Sequence, residues 1–452
     1  MEKLRYERPV IKKLETGMPN KFGLRTEYAP MTHIDGNAVK DLVKEYGSPL
    51  YVISETTIRS TINKAKKAFT TRYPKVQFAW SYKTNYLNAV CNVFHQEGSW
   101  AEVVSGFEYE KALRNGVDGK KIIFNGPDKS EADLRKAIMN ESLIHIDHLD
   151  ELYTILEITE TIDKRPKVAI RVNMDTGIYP IWDRFGFNYE NGQAWDALNK
   201  IMRSGKLDLL GLHCHIGTFM LTASAYAIAA GKLADLAIGI EQKYNHTVKY
   251  IDLGGGFASK NTLRGAYLPG SDTNPSFDDF AEAITTALLN SNFKNNELPT
   301  LILETGRALI DDAGYLIGSV IANKRTSTGK RTTIIDVGVN LLFTAFWYEH
   351  KITPAQAFTH YTETTQVFGP LCMNIDVIRE NIDLPLLNKD DQVVISSIGA
   401  YNMTQWMQFI TLRPNVVMID TNETVHLIRE NEKLESITTH EKMPEYLKKF
   451  EL

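Results

Sequence analysis

Cysteine is nearly absent: Cys91, Cys214 and Cys372 are the only three in 452 residues. Odd in number and widely spaced, they argue against a disulfide framework and a thiolate zinc site, and a reducing, cytoplasmic setting is expected. An excess of either charge is missing too. The 51 Lys+Arg and 55 Asp+Glu leave a formal net charge of −4, too balanced for a polyanionic partner such as nucleic acid, so the expected ligand is a small molecule. No apolar run reaches the roughly 18 residues of a membrane span. The charged opening Met1-Glu-Lys-Leu-Arg-Tyr-Glu-Arg-Pro9 lacks the apolar core of a signal peptide, so neither membrane insertion nor secretion is expected. Internal repeats and low-complexity tracts are not seen.

What is present is a rhythm. The length exceeds what one hydrophobic core serves, which predicts two domains. Residues 1–47 carry mixed charge and turn formers without long apolar periodicity, and read as an arm joining a sheet built elsewhere. From residue 48, short β-branched or aromatic runs alternate with helical spacing. Strands are predicted at 76–83, 100–105, 121–125, 143–147, 168–173, 207–215, 248–254 and 300–304. Helices are predicted at 85–96, 130–139, 149–159, 221–244 and 277–289. Eight alternating strands predict a (β/α)8 TIM-like barrel over 48–307, with the chemistry at the C-terminal ends of its strands. After Arg307 strand follows strand, at 315–322, 331–336, 362–368, 391–397, 415–419 and 425–429. This predicts a mostly β second domain over 308–452.

The unusual residues sit at the predicted strand exits. Phe78-Ala-Trp-Ser-Tyr-Lys-Thr-Asn85 ends an apolar run on Lys83. That amine is either a nucleophile, activated by burial or a neighbouring cation, or an ordinary strand-end lysine reaching for solvent. Ile251-Asp-Leu-Gly254-Gly255-Gly256 ends a strand in three glycines. Without Cβ atoms they allow several N–H groups to approach one anion, as in a phosphate cradle, although a plain tight turn has the same sequence. Leu303-Glu304-Thr305-Gly306-Arg307 pairs a carboxylate with a guanidinium. In Leu212-His213-Cys214-His215-Ile216-Gly217-Thr218, strand alternation puts both histidines on one side. They are short of the ligands a metal needs, and an imidazole offered as a stacking surface accounts for them. His145-Ile-Asp-His148 reads as structural. No metal is expected.

In this order, Lys83, His215 in His-Ile-Gly-Thr, the glycine triplet, Glu-Thr-Gly-Arg307, Gly369-Pro-Leu-Cys372 and Gly399-Ala-Tyr401 resemble the fold-type III decarboxylases that use pyridoxal phosphate. Over residues 48–430 the chain is most similar to their diaminopimelate decarboxylase branch, related to the ornithine and arginine decarboxylases. The resemblance implies that Lys83 holds the cofactor covalently and His215 stacks on its ring. Thr218, Gly254, Gly255, Gly256 and Arg307 would bind its phosphate, with Tyr401 reaching it from the second domain. Glu304 would pair with the pyridine nitrogen, and Cys372 would return a proton to the carbon that loses CO2. The resemblance also implies a homodimer with shared active sites, Cys372 and Tyr401 entering the neighbour's barrel.

The chain departs from that branch at the substrate's far end. Met373 stands where the branch has glutamate, and Thr344 where it has the arginine that grips the distal carboxylate, while Tyr348 is retained; Arg307, Tyr348, Met373 and Tyr401 are expected to border the substrate. Thr305 replaces proline and Asn402 replaces glycine, ahead of the bulky stretch 403–410. The expected activity is decarboxylation of a non-standard or modified amino acid. A racemase or epimerase on the same fold is the first rival, but such enzymes place arginine where this chain has Glu304. An inactive regulatory homologue is the second rival, opposed by the retention of Lys83, Glu304, Arg307 and Cys372.

Overall fold

The structure, a computed structural model, describes residues 29–266, 268–294, 297–358 and 361–448. Eight strands form a closed parallel barrel: β1 (Val76–Ser81), β2 (Trp100–Val103), β3 (Ile122–Phe124), β4 (Leu143–Ile146), β5 (Lys167–Asn173), β6 (Asp208–His213), β7 (Tyr250–Asp252) and β8 (Thr300–Leu303). Each pairs in parallel with the next, β8 pairs with β1, and β5 pairs with β6 to complete the ring. These strands are buried on both faces, which is why they read as nearly unbroken apolar runs. All eight predicted barrel strands are present, most of them shorter than read.

Helix starts follow strand exits because the loops supply cap oxygens. Ser54, Ser105, Ser130 and Ser276 accept from the backbone N–H three residues on, opening the helices Glu55–Thr70, Gly106–Arg114, Glu131–Met139 and Phe277–Leu289. The ring of His148 caps Leu149–Thr159 in the same way. Inside the barrel Ala79, Ile123, Leu143, Ala169, Tyr250 and Ile302 form a separate apolar cluster. It plugs the interior, so the barrel is a core and not a pore. Gly211 makes room for the Tyr250 ring, since a Cβ there would lie 2.2 Å from it.

The second domain is a sheet built on the long strand Gly314–Arg325, and the predicted barrel start at residue 48 needs correction. The strand Leu50–Ser54 pairs antiparallel with Gly314–Arg325 and parallel with Val416–Ile419, so it belongs to the second sheet. The part of the arm described here, the helix Val39–Tyr46 with Ile34, packs Val39 and Leu42 against Leu50, Val52, Ile317 and Val417. Residues 1–28 of that arm lie outside the described residues. The strand Val377–Pro385, paired antiparallel with Thr362–Phe368, escaped the sequence reading because its half-exposed Arg-Glu-Asn-Ile-Asp run shows no clean alternation. Among the described residues, no helix is long and apolar enough to cross a membrane.

Candidate active site

Seven of the eight strands deliver one polar side chain to a single layer at the barrel mouth: Glu102, His145, Arg171, His213 and Asp252 within their strands, and Asn125 and Glu304 one residue past β3 and β8. All seven are buried. Lys83 follows β1 in a short 3-10 turn, and its Nζ donates to both Glu102 oxygens, at 2.8 and 2.7 Å. Ser81 also donates to Glu102. Burial alone would lower the Lys83 amine, but the charges of Glu102 and Glu304 outweigh it and hold the amine above the ordinary lysine range. Beside these carboxylates Lys83 is therefore held as an ammonium, not as the free amine that the apolar strand alone suggests.

Lys83, Glu102, Asn125, Arg171, His213, His215 and Glu304 share a cavity of about 240 Å³ that Trp182 and Phe185 help to wall. The rings of Trp182 and His215 have centroids 5.4 Å apart. Burial first, then nearby positive charge, depresses His215 well below the usual imidazole range, so it offers a neutral face. Glu304 Oε1 accepts from Asn125 Nδ2 at 2.6 Å. Its carboxyl is pushed well up, by burial first and then by the charges of Asp252 and Glu102.

A smaller cavity of about 40 Å³ adjoins this one, lined by Lys83, His215, Thr218, Gly255, Gly256, Glu304, Arg307 and Tyr401 among others. The glycines are needed here: a Cβ on Gly255 would lie 2.4 Å from the Glu304 carbonyl, and one on Gly256 2.1 Å from that of Gly217. The triplet is not uniform, however. Gly254 N–H donates to Asp252 Oδ1 at 2.8 Å and Gly255 N–H to His215 Nδ1 at 3.3 Å, so those two donors position site side chains, and Gly254 does not line the cavity. The Arg307 guanidinium is caged by Tyr401, Tyr348 and Phe219 at 4.5, 5.2 and 5.9 Å from the ring centroids. Its Nη1 is buried without a hydrogen-bond partner, 4.0 Å from Asp311 Oδ2, which leaves a strong donor for an anion.

Tyr401 belongs to the cavity of its own chain, which corrects the expectation that it enters a neighbour's barrel. Its backbone holds a left-handed φ of 64°, a conformation that costs a non-glycine residue about 1–3 kcal/mol. Tyr401 N–H donates to the Thr84 carbonyl at 2.8 Å. Asp311, just past the barrel, accepts from Ala400 N–H at 3.1 Å, Ser259 Oγ at 2.6 Å and Asn261 Nδ2 at 3.0 Å, tying the two domains together at this point. Cys372 is exposed, and neither it nor Met373 lines the Lys83 cavity of this chain.

Sequence reasoning missed Glu102, Asn125, Arg171, Trp182 and Asp252, and took His145 as structural. A signal existed for Glu102: a carboxylate inside Trp-Ala-Glu-Val is out of place on a buried strand unless it has a partner. His145 Nδ1 lies 4.0 Å from Glu304 and its ring centroid 4.8 Å from that of His213. His148, by contrast, is the helix cap described above.

The strand ends of this TIM barrel bring Lys83, the neutral His215 ring, Glu304 and Arg307 to adjoining cavities, a set of groups that suits a phosphorylated aldehyde cofactor. Residues 59–311 match the family model described as the pyridoxal binding domain of pyridoxal-dependent decarboxylases. The chain is 29% identical over 432 residues to the diaminopimelate decarboxylase of Methanocaldococcus jannaschii, spanning 92% of this chain and 95% of that protein. It is 28% identical to the Aquifex aeolicus diaminopimelate decarboxylase, over 89% and 94% of the two chains. The crystal structure of the M. jannaschii enzyme superposes with a TM-score of 0.85, covering 92% of this chain and 96% of that one. The chain belongs to the pyridoxal-dependent decarboxylases. It is a carboxy-lyase that uses pyridoxal phosphate.

Proposed function

We propose that this enzyme decarboxylates an α-amino acid other than diaminopimelate, non-standard or modified at its far end, in the cytoplasm and as a homodimer whose subunits complete one another's active sites. Bound at Lys83, pyridoxal phosphate supplies the electron sink for the charge left by CO2. This chain's residues do the rest. Lys83 would anchor the cofactor, His215 would offer its neutral ring as a packing surface, Glu304 would hold a proton at the ring nitrogen, and Thr218, Gly256, Arg307 and Tyr401 would take the phosphate in a cavity that Gly255 also lines. Arg307 and Tyr348 border the substrate. Cys372, exposed in its own subunit, gives up its Sγ proton to the substrate α-carbon in the partner's barrel.

One observation carries the substrate assignment. Where the diaminopimelate branch has its arginine, Thr344 lies buried at the centre of a polar chain that runs from His350 to Asn402. His350 Nε2 and Thr344 Oγ1 are 2.8 Å apart, and Thr344 Oγ1 and N–H donate to Asn402 Oδ1 at 2.9 and 3.1 Å. Asn402 Nδ2 is in turn spent on the Ile398 and Ala400 carbonyls. His350 is driven down to about 3, mainly by burial, and carries no charge at neutral pH. Thr344 and Asn402 thus satisfy each other and offer no cation to a distal carboxylate, while Met373 offers no anion to a distal ammonium. Burying either charge unpaired would cost several kcal/mol. The test is CO2 release from meso-diaminopimelate against a panel of amino acids and their amide conjugates. We expect a kcat/KM for diaminopimelate at least about 100-fold below that of the best panel member, and efficient diaminopimelate turnover would refute the assignment.

A further inference from the structure

Beneath Glu304 lies a cluster that the reaction as described does not use. The ligating atoms of His145, His213, Asp252 and Glu304 all lie within 4.8 Å of one another, and all four residues are buried. His213 Nδ1 is 3.4 Å from Asp252 Oδ1 and 3.9 Å from Glu304 Oε2, and an oxygen of each carboxyl lies within 4.8 Å of the other. His145 Nδ1, His213 Nδ1 and Asp252 Oδ2 have no hydrogen-bond partner.

The charges around this layer do not balance as two carboxylates. Each cation facing it from a neighbouring element is committed elsewhere. Lys83 pairs with Glu102 at 2.7 Å, Lys129 with Glu151 at 2.7 Å, and Arg171 lies 3.8 Å from Asp147 with its guanidinium over the Phe185 ring. Asn125 and Tyr250 contribute only neutral hydrogen bonds, to Glu304 and to His145. Two adjoining buried carboxylates whose nearest cations are each in contact with another carboxylate retain a proton between them. Burial raises both Asp252 and Glu304 and depresses both imidazoles, in the same sense.

We propose that Asp252 and Glu304 share one proton in the cofactor-free enzyme, with His145 and His213 as neutral walls, and that this proton leaves when a cationic ring nitrogen takes Glu304 as its counter-ion. Asp252 is then a positioning residue that acts through Glu304. It keeps the layer electrically neutral before the cofactor binds and makes Glu304 an anion only when the ring is there to pair with it. The inference rests on the reading of Glu304 as the ring partner.

Calorimetry of pyridoxine 5'-phosphate binding to the full chain stripped of cofactor, in buffers of different ionisation enthalpy, counts the protons released. This analogue lacks the aldehyde, so the Lys83 amine stays out of the count, and the ligand's own protons contribute equally to wild type and variant. Wild type is expected to release about one proton more than Asp252→Asn at pH 7.5. Should that variant not fold, Asp252→Ser gives the same comparison. Equal counts overturn this inference alone. Failure of the analogue to bind wild type overturns the cofactor reading and this inference with it. Stoichiometric zinc that stays with the stripped wild type but leaves His145→Asn would also overturn it, because a metal would then neutralise the carboxylates.

Discussion

Lys83 shows how a single residue's neighbours reverse its expected state. The sequence suggests an amine made nucleophilic by burial, whereas Glu102 grips it through two hydrogen bonds and keeps it protonated. A covalent bond to an aldehyde needs the neutral amine. Because the folded-state pKa is raised, the neutral fraction at pH 7 is smaller than for a free lysine and grows about tenfold per pH unit below that pKa. Loading of pyridoxal phosphate into the stripped enzyme, followed by absorbance, is therefore expected to accelerate from pH 7 to pH 9. Glu102→Gln removes the counter-ion and is expected to load roughly tenfold faster throughout that range, with the same slope. An unchanged loading rate in the variant would free Glu102 from this role.

At the scale of elements, the loop after β7 and the turn after residue 398 meet at the phosphate end of the site from opposite domains. The first depends on glycine for space. Gly256 has a φ of 92°, and a Cβ there would strike the backbone oxygen of Gly217, which cannot rotate away. Gly256→Ala is expected to weaken cofactor binding by roughly tenfold or more, measured by equilibrium dialysis. The second is held by Asp311, whose carboxyl, raised to about 6 mainly by burial, accepts from Ala400. The motif order made both loops visible in the sequence. That Gly254 and Gly255 spend their N–H groups on Asp252 and His215 was not visible, because those partners come from the same loop's start and from β6's exit.

At the scale of the whole molecule, Lys83 and Cys372 are far from interchangeable: one lines a cavity inside the barrel, and the other is exposed on a loop of the second domain. If one subunit supplies each to a joint site, two inactive variants complement. Lys83→Ala and Cys372→Ala, each unable to turn over alone, are expected to regain about a quarter of wild-type activity when mixed, unfolded together and refolded, since half the dimers are mixed and each of those has one intact site. No recovery, with dimers verified by sedimentation, would place the proton donor within a single chain.

The sequence by itself determined the alternation of strands and helices and the strand exits that carry Lys83, His215, the glycines and Glu304. These are local facts, set by periodicity and residue type along the chain; the missing charges at Met373 and Thr344 show only against the family the chain resembles. Only the tertiary structure decided that Leu50–Ser54 leaves the barrel for the second sheet, that Tyr401 stays with its own chain, and that Thr344 and Asn402 satisfy each other across 58 residues. It alone gathered His145, Asp252 and Glu102 around Glu304. Closing a barrel brings one residue from each strand into a common ring whatever their separation in sequence, and the protonation of every group in that ring depends on neighbours that no local pattern records.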